Sequence, residues 1–482
     1  MAYSTHSQPI PTPQLDARQP NYDNSTAGQD PSSPDNYFRE EINNRLTRSQ
    51  SSPLHNKNMG GLFPPHRSTS PLRSTSPAET IDMEKGEFTM KAEEMQHNPH
   101  AALVSGVNPP LPFMQRIRHF TWAWYTLTMS TGGVATLISI QPHSFPGLIT
   151  IGAVFYVLNL IFFALLCAMM LLRFAKFPGT LKESLKHERE GLFLGPFWLS
   201  VATIITGTQK YVIQAYEQGD GMRTWMQTTM LIAFYVYTIC TFLSAVFQYT
   251  YLFNSLTYKL DKFMPSWLLP IFPIMLSGTI ASVIASDQPI PARYAIVFVG
   301  LGCQGLGFTV ALIFYAHYIG RLMSVGLPCR EHRGAMFIGV GPPSFTALAL
   351  IGMANAIPVD LNLVDPSMAF YSGATIRVIA VIAACSLWVL ALWFFCIALV
   401  AVLLSRPKLF HLGWWAMVFP NTGFTIATIS IGRALRSESM LYMGNAMSIG
   451  IVCMWVFVLF MNIRAVVVRD IMYPHMDEDV AD

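Results

Sequence analysis

The chain has 482 residues, of which 52% are hydrophobic and only 12% charged, and its mean hydropathy is +0.38. A soluble domain carries about 25% charged residues, so this composition excludes a soluble globular protein of this length. The net charge of +3 makes no basic surface of the kind that binds nucleic acid; what matters is how the charge is spread over the loops.

Residues 1–108 are polar and rich in Pro, Ser and Asn. They hold too little apolar area to offset ordering entropy, and read as a disordered cytosolic tail. The tail repeats RSTSP at Arg67–Pro71 and Arg73–Pro77, as phosphorylation sites or as plain solvated linker. The chain opens MAYSTHSQPI without an apolar h-region, so the first span is expected to serve as its own insertion signal. Residues 109–470 read as a ten-span transport domain and 471–482 as a short cytosolic tail.

Apolar runs of bilayer length, about twenty residues each, are expected near 119–140, 148–172, 192–211, 224–252, 266–286, 294–320, 335–357, 373–404, 412–432 and 440–463. Arg173, Lys176, Lys182, Lys186 and Arg189 follow span two, Lys259 and Lys262 span four, Arg321, Arg330 and Arg333 span six, and Arg406 and Lys408 span eight. The opposite loops carry fewer cations, so the positive-inside rule puts both ends in the cytosol.

Odd and even spans differ in chemistry. Even spans are continuous and greasy. Odd spans carry Pro196 with Ser200 and Thr203, Pro270 and Pro273 with Ser277 and Thr279, Pro342 and Pro343 with Ser344 and Thr346, and Pro420 with Asn421 and Thr422. Ser130 and Thr131 add hydroxyls to span one. Proline inside a helix kinks it and frees a carbonyl, which lipid tolerates only against protein or a water-filled cavity. The odd spans are therefore expected to line a path with these hydroxyls. Helix packing through small residues is the alternative for any one span. Spans one and nine also match at an offset of 291, pairing Trp124 with Trp415 and Thr131 with Thr422, as internal repeats in transport folds do.

No acid lies deep in a span, and no nucleophile–His–acid set, metal-ligand spacing or cofactor motif is present, so an enzyme is not expected. The string Gly300, Gly302, Gly305 lies within an apolar run rather than at a strand-to-helix turn, and reads as helix packing. An anion path needs no buried full charge, because hydroxyls and helix N-termini can replace hydration. Lys210 and Arg433, at outer span ends, either collect anions or snorkel to headgroups.

Five blocks in order, HFTWAWYTLTMSTGGVATL (His119–Leu137), PSWLLPIFPIMLSG (Pro265–Gly278), GCQGLGF (Gly302–Phe308), GAMFIGVGPPSF (Gly334–Phe345) and GWWAMVFPNTGF (Gly413–Phe424), resemble the tellurite-resistance and dicarboxylate transporter family. The likeness is greatest to its yeast and fungal malic acid permeases, and the resemblance implies the fold of plant slow anion channels. The resemblance implies an all-α integral membrane protein of ten transmembrane helices, arranged as five helical hairpins around a pseudo-fivefold pore. It also implies a possible homotrimer with one pore per subunit, and Phe419, before Pro420, as the pore gate. The implied function is plasma-membrane transport of malate and related C4-dicarboxylates, as the monoanion or with protons. The alternatives are a sulfite or inorganic-anion exporter or channel of the same fold, and a membrane receptor that does not conduct.

Overall fold

The computed structural model describes residues 111–217, 219–255, 263–359, 361, 372–405, 407 and 409–473. The N-terminal tail with both RSTSP copies, Lys259, Lys262, Arg406, Lys408 and residues 474–482 lie outside the described residues. Every regular element described is helical. A short α1 (Phe113–Arg118) leads to α2 (Tyr125–Ser139), α3 (Leu148–Lys176), the short α4 (Thr180–Lys186), α5 (Leu194–Tyr211), α6 (Gly221–Ser255) and α7 (Phe272–Ile284). Then follow α8 (Ile290–Val325), α9 (Gly341–Ala356), α10 (Ser372–Leu404), α11 (Phe419–Leu435) and α12 (Glu438–Val468).

Seven of these segments are long and apolar enough to cross a bilayer. The other three expected spans contain α2, α7 and α11, with only 15, 13 and 17 residues in continuous α-helix. The shortfall has a structural reason. Each of α2, α5, α7, α9 and α11 is preceded by a 3₁₀ segment, namely Trp122–Trp124, Glu190–Phe193, Pro265–Leu268, Arg330–Val340 and Leu412–Met417. The prolines mark these junctions. Pro196, Pro273, Pro342, Pro343 and Pro420 stand in the first turn of their α-helices, and Pro270 lies between its 3₁₀ segment and α7. In a first turn the missing N–H has no intrahelical acceptor to lose. The expected mid-helix kinks are therefore breaks between a 3₁₀ lead and an α-helix.

These five helices touch one another in a closed cycle, α2–α5–α7–α9–α11–α2, and their 3₁₀ leads form a second cycle in the same order. The long helices α3, α6, α8, α10 and α12 pack outside, each bridging two members of the cycle. Their outward faces carry exposed apolar side chains such as Val154, Phe247, Ile313, Ile382 and Phe460, which only a lipid or protein partner can cover favourably. Almost every residue of α2 and α9 is buried instead. At Gly195 a Cβ would collide with the Leu269 backbone carbonyl, so glycine is what lets α5 meet the lead of α7 this closely.

Polar side chains bolt the outer helices to the inner cycle. Thr238 of α6 donates to Ser277 at 3.1 Å, Gln304 of α8 to Thr346 at 2.8 Å, Trp388 of α10 to Thr428 at 2.8 Å, and Trp455 of α12 to Thr131 at 3.0 Å. From α3, Tyr156 shares a 2.7 Å hydrogen bond with Thr208. The glycine string lies in α8, where Gly300 packs on Ala281 of α7 while Gly302 and Gly305 face open space. The packed body continues past the expected boundary at 470, because Ile471, Met472 and Tyr473 are buried.

One full ion pair is sealed between the leads. Arg173, near the end of α3, holds Glu190 with both nitrogens, at 2.5 and 3.2 Å, and also donates to the Phe120 carbonyl at 2.6 Å. Both side chains are about 5% exposed or less. Removing one partner of such a pair strands a buried charge, at a cost of about 3–5 kcal/mol, whereas an apolar replacement of both is often neutral. Arg173→Ala is expected to lower the thermal stability of the detergent-solubilised protein by that order, and the Arg173→Met/Glu190→Leu double variant to restore most of it. A double variant as unstable as Arg173→Ala would mean that the pair itself, not the stranded carboxylate, sets the loss.

Candidate anion pathway

The five inner helices enclose a cavity of about 340 Å³, within the range of small-molecule sites. Each helix contributes one stripe at helical spacing. Gly133 and Thr136 come from α2, Thr203, Thr206 and Lys210 from α5, Thr279 and Ser282 from α7, and Ser286 from the 3₁₀ turn that follows it. From α9 come Phe345, Leu348, Gly352 and Asn355, and from α11 Phe419, Thr422, Ile426, Ser430 and Arg433. Ser286, Asn355 and Arg433 are exposed, so the cavity reaches the surface at the helix C-termini.

At its deep end the cavity is closed by two buried rings, Phe419 and Phe345, stacked with centroids 5.0 Å apart and planes at 26°. Beyond them lies a space of only about 20 Å³, bounded by Met129, Phe193, Leu269, Phe272, Ile338 and Phe419 among others. That is room for about one water, against an apolar wall. Phe419 lines both spaces and so stands between them. Gly133 faces it, and a Cβ there would come within 3.1 Å of the Phe419 ring and 2.9 Å of the Thr422 hydroxyl.

The electrostatics suit an anion. The N-termini of α7 and α11, at Phe272 and Phe419, border the narrow space and present partial positive charge there. The C-termini at the mouth would repel an anion, but guanidinium groups cover two of them. Arg433 donates to the Ile140 carbonyl at the end of α2 (2.5 Å), and Arg377 to the Ile357 carbonyl after α9 (2.8 Å). Lys210 lies within electrostatic reach of Asp287, which attracts it, and of Arg433, which repels it. Asp287 is itself held by Gln209 and, at 3.3 Å, by Arg223.

Of the ten expected path residues, Thr203, Thr279 and Thr422 line this cavity; so do Lys210, Arg433 and Phe419. The Thr279 hydroxyl is buried without a hydrogen-bond partner. The other seven do not line it, and their hydrogen bonds explain why. Thr131, Ser277 and Thr346 are the bolts for α12, α6 and α8. Ser200 bonds Thr128 and the Tyr125 carbonyl, Ser130 the Trp415 carbonyl, Ser344 the Val340 carbonyl, and Asn421 the Met417 carbonyl. Phe345, Thr136, Thr206, Ser282, Ser286, Asn355 and Ser430 were missed. Successive helical steps of three or four residues lead from Phe419 through Thr422 and Ile426 to Ser430, and from Thr279 to Ser282 and Ser286. Phe345 carries no such signal, because its partner ring comes from another helix.

With this geometry in view, the model of one family, described as voltage-dependent anion channel, matches residues 119–463. The chain belongs to the voltage-dependent anion channel family. The family includes the tellurite-resistance and dicarboxylate transporters, and the chain is a multi-pass membrane protein of an anion-transporter family. A malic acid transport protein of Schizosaccharomyces pombe is 36% identical over 378 residues, covering 77% of this chain and 84% of the relative. A sulfite efflux pump of Trichophyton rubrum is 27% identical over 352 residues, 72% of this chain and 91% of the relative. An uncharacterized transporter of Methanocaldococcus jannaschii is 23% identical over 354 residues, 73% of this chain and 96% of the relative. These relatives are transporters rather than enzymes.

Two outcomes follow for this family member. The ring stack is worth roughly 0.5–1.5 kcal/mol, so Phe345→Ala should raise anion flux in proteoliposomes about 2–10-fold, as should Phe419→Ala. Unchanged flux in both would show that the layer is not the barrier. Thr279→Val should lower flux, while Thr131→Val should lower thermal stability and leave flux per folded molecule intact.

Proposed function

We propose that the chain carries malate and related C4-dicarboxylates across the plasma membrane, through a pore formed by five helical hairpins, ten crossings in all, with both termini cytosolic. The observation that carries this reading is the cavity itself. It draws on all five inner helices, offers hydroxyls and two cations, and ends at an aromatic layer. The cyclic packing supports a pseudo-fivefold arrangement, and the distribution of loop cations supports the topology. The name of the 36% identical relative supports the substrate class. A homotrimer with one such pore in each subunit accords with the apolar outer faces.

Physics constrains the mechanism. A dianion entering an inside-negative cell works against roughly 4–5 kcal/mol per 100 mV. Among the described residues no carboxylate lines the cavity, so the simplest route for the proton is on the substrate, as the monoanion. The mouth cations raise the local anion concentration. Thr203, Thr279 and Thr422 then replace hydration along the wall, and Phe419 with Phe345 gives way for passage.

A second reading, sulfite export, is favoured by the 27% identical efflux pump. Radiolabelled malate uptake into proteoliposomes, at two pH values and two potentials, tests both. Uptake should track the monoanion concentration and be competed by succinate more strongly than by sulfite. Uptake that followed total malate regardless of pH would sink monoanion carriage, and sulfite as the stronger competitor would favour export of the inorganic anion.

A further inference from the structure

A groove outside the pathway lies between α4 and α6 and measures about 650 Å³. Its walls are apolar, formed by Leu181, Leu185, Leu192, Phe247 and Leu252. Phe247 is 67% exposed and belongs to the outward face of α6, so the groove opens where lipid would lie. Its rim is basic: Lys182, Lys186 and His187. Among the described residues neither lysine has an ion-pair partner. His187 accepts the Glu190 backbone N–H at Nδ1 (3.2 Å), which leaves Nε2 to donate. The groove floor is fixed, because the buried Ser184 of α4 accepts a hydrogen bond from Trp122 at 3.2 Å.

An apolar slot with a cationic rim at one end matches one chemistry, an acyl chain attached to a negatively charged headgroup. We propose that this groove binds an anionic phospholipid, and that its occupant acts on the narrow end of the pathway through the 3₁₀ turn Glu190–Phe193. The turn is the connection. Gly191 and Leu192 face the groove, while Phe193 borders the small space beyond Phe419. Gln248 of α6 ties the groove wall to the same turn by donating to the Gly191 carbonyl at 2.9 Å. One helical turn thus separates a lipid-facing slot from the constriction, and filling the slot restricts where Phe193 can move.

Each basic residue near an anionic headgroup contributes a factor of about 5, so removing both lysines should weaken retention roughly 30-fold. The full-length protein, purified from vesicles of phosphatidylcholine with graded phosphatidylserine, is examined by native mass spectrometry for the lipid it retains. Wild type should retain phosphatidylserine over phosphatidylcholine, and Lys182→Gln/Lys186→Gln should lose that preference while keeping its thermal stability. Anion flux should change with the phosphatidylserine fraction in wild type and not in the variant. Equal retention by the variant, or displacement of the lipid by inorganic phosphate, would overturn the site. Selective retention with flux indifferent to lipid would overturn the coupling. Retention is read without transport, so a chain that proved not to carry malate would refute the substrate assignment and leave this test standing.

Discussion

A hydrocarbon layer offers no water to a carbonyl, an N–H or a hydroxyl, so every polar group at that depth must find its partner in protein or in an enclosed aqueous space. Five broken helices, each with a 3₁₀ lead and four of them with a proline at the junction, would be intolerable facing lipid. Here they face one another in a closed cycle, and the unbroken helices α3, α6, α8, α10 and α12 stand between them and the bilayer. Most inner-helix hydroxyls meet the same constraint by bonding a carbonyl one turn back or by receiving a side chain from an outer helix. The polar content of the odd spans thus serves assembly before it serves transport.

The cavity is what remains when those demands are met. Its wall needs only one stripe per helix, and its hydroxyls are those that no outer helix claims. Charge enters sparingly, with Lys210 and Arg433 near the mouth and the N-termini of α7 and α11 at depth, an arrangement that favours negative charge without a buried ion. The aromatic layer supplies the opposite quality, an apolar wall of two stacked rings at the deep end. Gly133, opposite Phe419, leaves the ring the room that any larger residue would fill.

The leads are as interlocked as the helices. Arg173 joins α3 to the second lead through Glu190 and to the Phe120 carbonyl just before the first, and Tyr315 of α8 donates to Gly339 in the fourth at 2.7 Å. The leads themselves pack against one another in the same cyclic order as the helices, so a displacement of one meets its neighbours in direct contact.

The sequence by itself determined the helical, membrane-bound class and the alternation of greasy and broken spans, because length, hydropathy and proline content are local properties; Phe419, implied by the family resemblance, and the span-end cations Lys210 and Arg433 line the cavity. The sequence could not say which hydroxyl looks inward. Thr131 and Thr422 occupy matching places in the repeat at offset 291, yet one accepts from Trp455 and the other lines the cavity. Each residue turns about 100° around its helix, and the phase of that rotation is set by which neighbour packs where. Only the tertiary structure fixed that phase, because the partners of α2, α7 and α9 come from distant helices. For the same reason only the fold could bring Phe345 onto Phe419, two rings on helices separated by the whole of α10.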